Sequence, residues 1–270
     1  MTLTNEIDLI SAFHSPDTAL ERLYEVACRD QWTVAGLDWS AIELGALPQP
    51  IRQAAADVFA QLHYGELAAM LGASRMMDKL PAGPFRLVCA TQVNDEARHV
   101  RFFANLIGRL GCTGRVRQSV QQIMNEVHSA DTPEATMLGI QILIEGVAHS
   151  FFQECARFFD DVRAEGPLFT AVRTVVVDWL PGLLARDESR HIALGLHYLK
   201  ARVPQLDARA RAALEYKVEH WGEMVHDMAR GSDILDCVGV DERRLVTRCV
   251  ADLNVRLGQV GLETRIPDLP

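Results

Sequence analysis

The sequence predicts an all-α protein built on an antiparallel four-helix bundle, with additional N- and C-terminal helices. Long stretches carry apolar residues at helical spacing. Runs of alternating β-branched and aromatic residues bounded by Asn-Gly or Asp-Gly, which are typical of strands, are absent from the sequence. Several predicted helices reach about 25–35 residues, well above the average for globular proteins, and long helices joined by short loops are typical of such a bundle.

The predicted elements follow in order along the chain. A short amphipathic helix covers 17–30, and 31–50 forms an irregular connection that contains Pro48 and Pro50. The four bundle helices and the two closing helices are predicted over 51–78, 85–110, 133–162, 168–202, 206–230 and 241–258.

Proline and glycine mark the boundaries of these helices. The segment LPAGP at 80–84 ends the first bundle helix, and Gly111 closes the second. A capping residue before Pro133 opens the third, and Gly166-Pro167 precedes the fourth. Pro181-Gly182 lies inside the fourth helix, where we expect a kink or an interruption. No linker rich in Pro, Gly or Ser divides the chain, so residues 1–270 are predicted to form one domain with a bundle core at about 51–202.

The composition limits the partners of this protein. The 27 basic and 36 acidic residues give a formal charge of −9, which disfavours binding to nucleic acid or to an anionic membrane surface. No apolar run approaches the roughly 20 residues of a membrane span, and the N-terminus lacks the pattern of a signal peptide. Six scattered cysteines without a Cys-x-x-Cys pair argue against a disulfide scaffold and a structural zinc site. We therefore expect a cytoplasmic protein.

A repeated pentapeptide carries the functional argument. Asp-Glu-Ala-Arg-His at 95–99 and Asp-Glu-Ser-Arg-His at 187–191 share four of five residues and lie on different predicted helices. In each copy Glu and His are three residues apart, so Glu96 with His99, and Glu188 with His191, project from one helix face. The residues around them on that face are apolar, where a carboxylate and an imidazole are costly unless paired or bound to metal.

A binuclear metal site in a helical bundle needs further carboxylates from the other two helices. The first bundle helix supplies Glu66, which shares an apolar stripe with Phe59, Leu62 and Met70. Glu66 lies 14 residues before Leu80 and Glu96 lies 12 residues after Pro84, so both reach a similar height in a helical hairpin.

The third helix offers two candidates, Glu145 and Glu154. Glu145 shares its face with Ile142, Phe152 and other apolar residues, whereas Glu154 shares its face with Arg157 and Asp161. We favour Glu145 and retain Glu154 as the alternative. Mixed carboxylate and imidazole ligands without thiolate are typical of iron or manganese sites. The predicted ligands of two such ions are Glu66, Glu96, His99, Glu145, Glu188 and His191.

The order Glu, Glu-x-x-His, Glu, Glu-x-x-His over about residues 51–202 resembles the ferritin-like diiron carboxylate superfamily. The resemblance is to its oxygen-activating branch, which includes monooxygenases, desaturases, arylamine N-oxygenases and the small subunit of ribonucleotide reductase. In that family the Asp before each bridging Glu accepts the ring N–H of the opposite motif's His, and a neighbouring Arg steadies it. Asp95, Asp187, Arg98 and Arg190 match these positions.

Departures from the family pattern bear on the reaction. Arylamine N-oxygenases carry an extra His one turn before the last motif, where this chain has Leu184, so a seventh ligand is not expected. The 43 residues between Glu145 and Glu188 exceed the 30 between Glu66 and Glu96, which is why the third-helix ligand stays open. No Cys₄ element is present, which disfavours a rubrerythrin-type peroxidase.

The resemblance implies an enzyme with two iron ions, with Mn/Fe as an alternative. It would activate O₂ to hydroxylate, N-oxygenate or desaturate a small or apolar organic molecule. No nicotinamide or flavin fingerprint is present, so an external electron donor is expected. Related proteins are often dimers, which implies a homodimer. The competing hypothesis is a ferritin-like iron-handling or peroxide-scavenging protein, and iron stoichiometry distinguishes the two.

Overall fold

The computed structural model describes residues 18–161, 166–229 and 242–267. This part of the chain contains helices and no strands, which confirms the all-α prediction. The predicted helix ends at 17, 162, 230 and 241 lie outside the described residues. The helices are α1 (Thr18–Arg29), α2 (Gln49–Met76), α3 (Pro84–Leu110), α4 (Gln118–His128), α5 (Pro133–Met137, Leu138–Ile144 and Glu145–Asp161 in one run), α6 (Pro167–Arg173, Thr174–Leu184 and Ala185–Arg202 in one run), α7 (Ala208–Ala229) and α8 (Glu242–Gln259).

Helices α2, α3, α5 and α6 form the bundle. α2 and α3 are the most extensively packed pair, joined by the short turn that LPAGP predicts, and α5 packs along α6. Apolar side chains fill the bundle on both sides of a buried polar layer: one group surrounds Met76, Ile142 and Leu199, and the other surrounds Phe102, Phe152 and Leu184. The polar layer therefore lies across the middle of an apolar core.

Both helices of the second hairpin contain a π-helical segment. Leu138–Ile144 of α5 and Thr174–Leu184 of α6 are wound with the wider π spacing. The first ends directly before Glu145, and the second ends four residues before Glu188. Pro181 lies inside the second segment, where the chain continues as a helix instead of breaking. A π segment absorbs a proline because the backbone hydrogen-bond pattern is already shifted there, and such segments are frequent at functional sites.

Helix α4 was not predicted from the sequence. It follows a connection that runs beside α2, where the backbone N–H of Arg115 donates to Asp57 at 2.8 Å and that of Arg117 donates to Gln61 at 2.8 Å. Gly114 lies so close to α2 that a Cβ there would stand 2.1 Å from the Ala56 carbonyl oxygen. This connection brings Arg117 and α4 against the face of α2 that carries Glu66.

Two bundle helices are long and apolar enough to cross a membrane, by length and composition alone. They are Pro133–Phe159 and Leu168–Gln205, with mean hydropathies of 1.3 and 1.5. The expectation that no apolar stretch approaches this length was therefore wrong. The apolar 18-residue stretch of the first helix is 78% buried inside the protein, and that of the second helix is 33% buried. Core helices that are buried inside a protein have the same length and composition, so burial accounts for the first helix. The absence of a membrane partner stays a prediction.

Candidate metal centre

The four bundle helices bring six of the predicted residues into one buried cluster. α2 supplies Glu66, α5 supplies Glu145, and α3 and α6 each supply a Glu-x-x-His pair. The cluster divides into two overlapping groups, and within each group the facing oxygen and nitrogen atoms lie within 4.8 Å of one another. The first group is Glu66, Glu96, His99 and Glu188, and the second is Glu96, Glu145, Glu188 and His191.

Glu96 and Glu188 belong to both groups, and we call them the shared carboxylates. Each directs one oxygen to each histidine. His99 Nδ1 lies 3.2 Å from Glu96 Oε2 and 3.3 Å from Glu188 Oε1. His191 Nδ1 lies 3.1 Å from Glu96 Oε1 and 3.0 Å from Glu188 Oε2. Carboxylates placed in this way can bridge two cations.

The other two carboxylates each face one histidine. Glu66 Oε2 lies 3.3 Å from His99 Nδ1, and Glu145 Oε2 lies 3.6 Å from His191 Nδ1. Each group therefore has one carboxylate of its own, one histidine and the two shared carboxylates. The second group therefore resembles the first, with α5 in the place of α2 and α6 in the place of α3.

The outer nitrogens of the histidines face the aspartates of the opposite motif. His99 Nε2 lies 3.3 Å from Asp187 Oδ2, and His191 Nε2 lies 3.3 Å from Asp95 Oδ2. When these ring nitrogens carry the proton, the Nδ1 atoms are left as electron-pair donors toward the centre of the cluster.

Two arginines neutralise this pair of buried aspartates. Arg190 donates to Asp187 Oδ1 at 2.7 Å and to Asp95 Oδ2 at 3.0 Å. Arg98 donates to Asp95 Oδ1 at 2.5 Å and to Asp187 Oδ2 at 3.2 Å. The two aspartates and two arginines thus form a closed network that joins α3 to α6.

Two further polar residues contact this cluster, and a third holds one of them in place; none of the three was predicted from the sequence. Trp32, which lies in the connection after α1, donates from its indole N–H to Asp187 Oδ2 at 2.8 Å and stacks on His99 with ring centroids 6.1 Å apart. Gln92 donates to two of the carboxylates, and Gln141 donates to Gln92. The signal for the glutamines was available: each lies four residues before a predicted ligand, on the same helix face.

Burial and mutual repulsion control ionisation in the cluster. Burial, together with the charge of Glu188, raises the pKa of Glu66 well above its ordinary value. Burial and the two shared carboxylates likewise raise the pKa of Glu145. Burial alone would lower the pKa of each histidine, but the neighbouring carboxylates outweigh it and raise the pKa of both His99 and His191 well above the usual range. The cluster therefore stabilises positive charge strongly.

The donor set fits two metal ions. Glu96 Oε2 and Glu188 Oε1 are buried and accept no hydrogen bond within the described residues, an arrangement that is costly unless a cation faces these oxygens. Four carboxylates and two imidazoles supply hard and borderline donors without thiolate, which suits iron or manganese. Leu184, at the position where the resemblance implies an extra histidine, is buried among the apolar residues of the bundle.

Glu154, the alternative third-helix candidate, lies outside the cluster. Its carboxylate pairs with Arg157 one turn along α5 and with Arg248 of α8 at 2.9 Å. These ion pairs account for a buried carboxylate on that face and connect α5 to α8.

An apolar cavity of about 160 Å³ opens beside the cluster, between α2, α4, α5 and the two closing helices. Glu66 and Glu145 are its acidic lining residues, and Arg117 is the one basic residue among the described residues that line it. The rest of the lining is almost entirely aliphatic, with Phe151 as its aromatic member. The cavity thus connects the carboxylate cluster to a space that is suited to an apolar molecule.

Comparison with known proteins agrees with this geometry. The sequence profile of the p-aminobenzoate N-oxygenase AurF family matches residues 67–255. Solved structures of point variants of R2-like ligand-binding oxidase are similar in fold. One variant with an aerobically reconstituted Mn/Fe cofactor aligns with a TM-score of 0.69, 20% identity and coverage of 93% of this chain and 96% of that chain. Another with an aerobically reconstituted Fe/Fe cofactor aligns with a TM-score of 0.67, 19% identity and coverage of 96% and 99%. A search of curated protein sequences finds no match.

The fold and the family together define a class: a non-haem diiron oxygenase or oxidase, that is, an O₂-dependent oxidoreductase. The chain belongs to the p-aminobenzoate N-oxygenase AurF family, whose profile covers more than half of its length. The prediction of a ferritin-like, oxygen-activating diiron protein is confirmed.

Replacing Arg190 tests the network behind the histidines. Arg190→Met leaves Asp95 and Asp187 buried with less compensation, so we expect a loss of roughly 3–5 kcal/mol in the free energy of unfolding, measured by urea denaturation of metal-free protein. The control is Arg173→Met, because Arg173 pairs with Asp178 where both side chains are about half exposed. We expect it to cost less than about 1 kcal/mol. Equal losses in the two variants would show that the network contributes nothing specific.

Proposed function

We propose that the six clustered residues hold two iron ions and that the enzyme oxygenates the nitrogen of a small aromatic amine that bears a carboxylate. Glu66 and His99 would bind one ion, and Glu145 and His191 the other, with the shared carboxylates bridging them. The observation that carries the proposal is the placement of both oxygens of each shared carboxylate, one toward each histidine.

Two iron ions bound here would supply the electrons and the Lewis acidity for O₂ activation. The protein's own residues hold the ligands in place. With a metal ion bound, Asp95 and Asp187 would accept the outer ring N–H of each histidine, which would leave the inner nitrogen as an electron-pair donor directed at the cluster. The apolar residues on both sides of the cluster exclude bulk water, which protects the oxidising centre from side reactions.

The spacing of the charged residues that line the cavity supports a substrate with one aromatic ring. Glu66 and Glu145 place one end of it against the cluster. Arg117 lies beside Gln61, to which its backbone N–H donates, and Gln61 precedes Glu66 by five residues, or about 7.5 Å along α2. A ring with an amine and a carboxylate at opposite positions spans a comparable distance. We propose that the amine faces the carboxylates and that the acid group pairs with Arg117.

The external electron donor, the homodimer and the cytoplasmic location stay predictions. The first rests on a sequence without a nucleotide-binding fingerprint, the second on the resemblance, and the third on the scattered cysteines.

The metal ligands are tested by comparing Glu145→Ala with Glu154→Ala. We expect wild-type protein loaded with Fe(II) under anaerobic conditions to contain two iron ions per chain by elemental analysis. Glu145→Ala should retain about one, because one position loses its own carboxylate, whereas Glu154→Ala should retain two because Glu154 faces arginines. Unchanged iron in Glu145→Ala would remove that residue from the site. Many ions per chain in the wild type would favour an iron-handling protein.

The substrate proposal is tested by replacing Arg117. With p-aminobenzoate, O₂ and a chemical reductant, Arg117→Gln should raise KM roughly 10- to 100-fold, the cost of a lost charge-assisted hydrogen bond, with kcat changed less than about twofold. Product formation is followed by liquid chromatography and mass spectrometry. Arg115→Gln is the matched control, because Arg115 lies two residues away and its side chain is exposed. This variant should leave KM unchanged. An unchanged KM in Arg117→Gln would contradict recognition of the acid group by this residue.

A further inference from the structure

We propose that two buried glutamines make the two metal positions unequal, and that Gln92 is the positioning residue responsible. The proposal rests on the proposed metal site and adds a difference between its two halves. Gln92 and Gln141 are fully buried beside the second group, which contains Glu145 and His191.

Gln92 contacts two carboxylates with one amide group. Its Nε2 donates to Glu96 Oε1 and to Glu145 Oε1, each at 3.0 Å. These two oxygens belong to residues that repel each other when both are charged, and a shared donor between them reduces that repulsion. Because Glu145 Oε1 accepts this bond while Oε2 faces His191, Gln92 fixes which oxygen of Glu145 faces the centre.

Gln141 fixes the orientation of Gln92. Its Nε2 donates to Gln92 Oε1 at 3.0 Å, so the amide of Gln92 has its NH₂ group toward the carboxylates. Gln141 in turn lies against Gly195 of α6, where an added Cβ would stand 2.5 Å from the Cβ of Gln141. Three helices therefore hold the amide pair in one arrangement.

Among the residues that the structure describes, no corresponding amides lie in the other half of the site. Both glutamines lie four residues before a carboxylate of the cluster, Glu96 and Glu145. At the equivalent positions before Glu66 and Glu188 the chain has Leu62 and Leu184. Among the described residues, the polar contact of Glu66 Oε2 is with His99 Nδ1 at 3.3 Å. An otherwise symmetric cluster thus has a restrained half at Glu145 and a less restrained half at Glu66.

The consequence is a difference in affinity and geometry. The position formed by Glu145 and His191 should bind its ion more tightly, because a carboxylate that is already held in place loses less freedom on binding. The position formed by Glu66 and His99 should be weaker. Removing Gln92 should weaken the first position and make the two more alike.

The test uses Gln92→Leu, which copies the residue at the equivalent position 184, and the double variant Gln92→Leu/Gln141→Leu. Leucine is close to glutamine in size, and the double variant leaves no unpaired amide in the core. Thr91→Val is the matched control on α3, because within the described part of the chain the Thr91 hydroxyl donates only to the carbonyl of Val88 in the same helix. Anaerobic Fe(II) titration and Mössbauer spectroscopy of ⁵⁷Fe(II)-loaded protein are the measurements.

We expect wild type and Thr91→Val to show two Fe(II) quadrupole doublets of equal area and two unequal dissociation constants. Both glutamine variants should weaken the tighter site roughly 10- to 100-fold and change one doublet while the other is kept. An unchanged spectrum and titration, or an equal change in both doublets, would overturn the role of Gln92. A wild type that binds fewer than two iron ions would contradict the metal site itself, and with it this inference.

Discussion

The fold depends on the compensation of four carboxylates that lie together in an apolar bundle. Glu66, Glu96, Glu145 and Glu188 are at most 5% exposed, and their facing atoms fall into two groups in which every separation is below 4.8 Å. Bringing such charges out of water is unfavourable unless opposite charge and hydrogen bonds compensate them. The two histidines, held by the aspartate and arginine network, supply part of that compensation, and two metal ions would supply the rest. The need for this compensation restricts the four bundle helices to the one alignment that brings these charged residues together.

Much of this site could be predicted from the sequence because its spacing is local. Glu and His three residues apart must share a helix face, and the repeated pentapeptide, with four of five residues identical, occurs on two helices. The choice of Glu145 over Glu154 also followed from the apolar residues around it, and the structure places Glu145 in the cluster. The described boundaries of the bundle helices lie within about two residues of the prediction, because proline and glycine mark them.

The rest depended on contacts between distant parts of the chain. Trp32 reaches Asp187 across 155 positions, and nothing in its local sequence indicates that pairing. Helix α4 has few residues and no strong boundary signal of its own, and it is held by hydrogen bonds from the preceding connection to α2. A pattern search with a period of 3.6 residues does not detect π-helical segments. A kink or an interruption was expected at Pro181, and the structure shows no interruption there because the helix continues with π spacing. The cavity is formed by five helices, so the sequence of no single helix predicts it.

The central claim is that two iron ions lie between the shared carboxylates, and anomalous diffraction at the iron edge tests it most directly. Crystals of Fe(II)-loaded protein should show two anomalous peaks, both within bonding distance of Glu96 and Glu188. One peak should lie beside His99 with Glu66 and the other beside His191 with Glu145. A single peak, or iron bound only at the carboxylate of Glu154, would contradict the account.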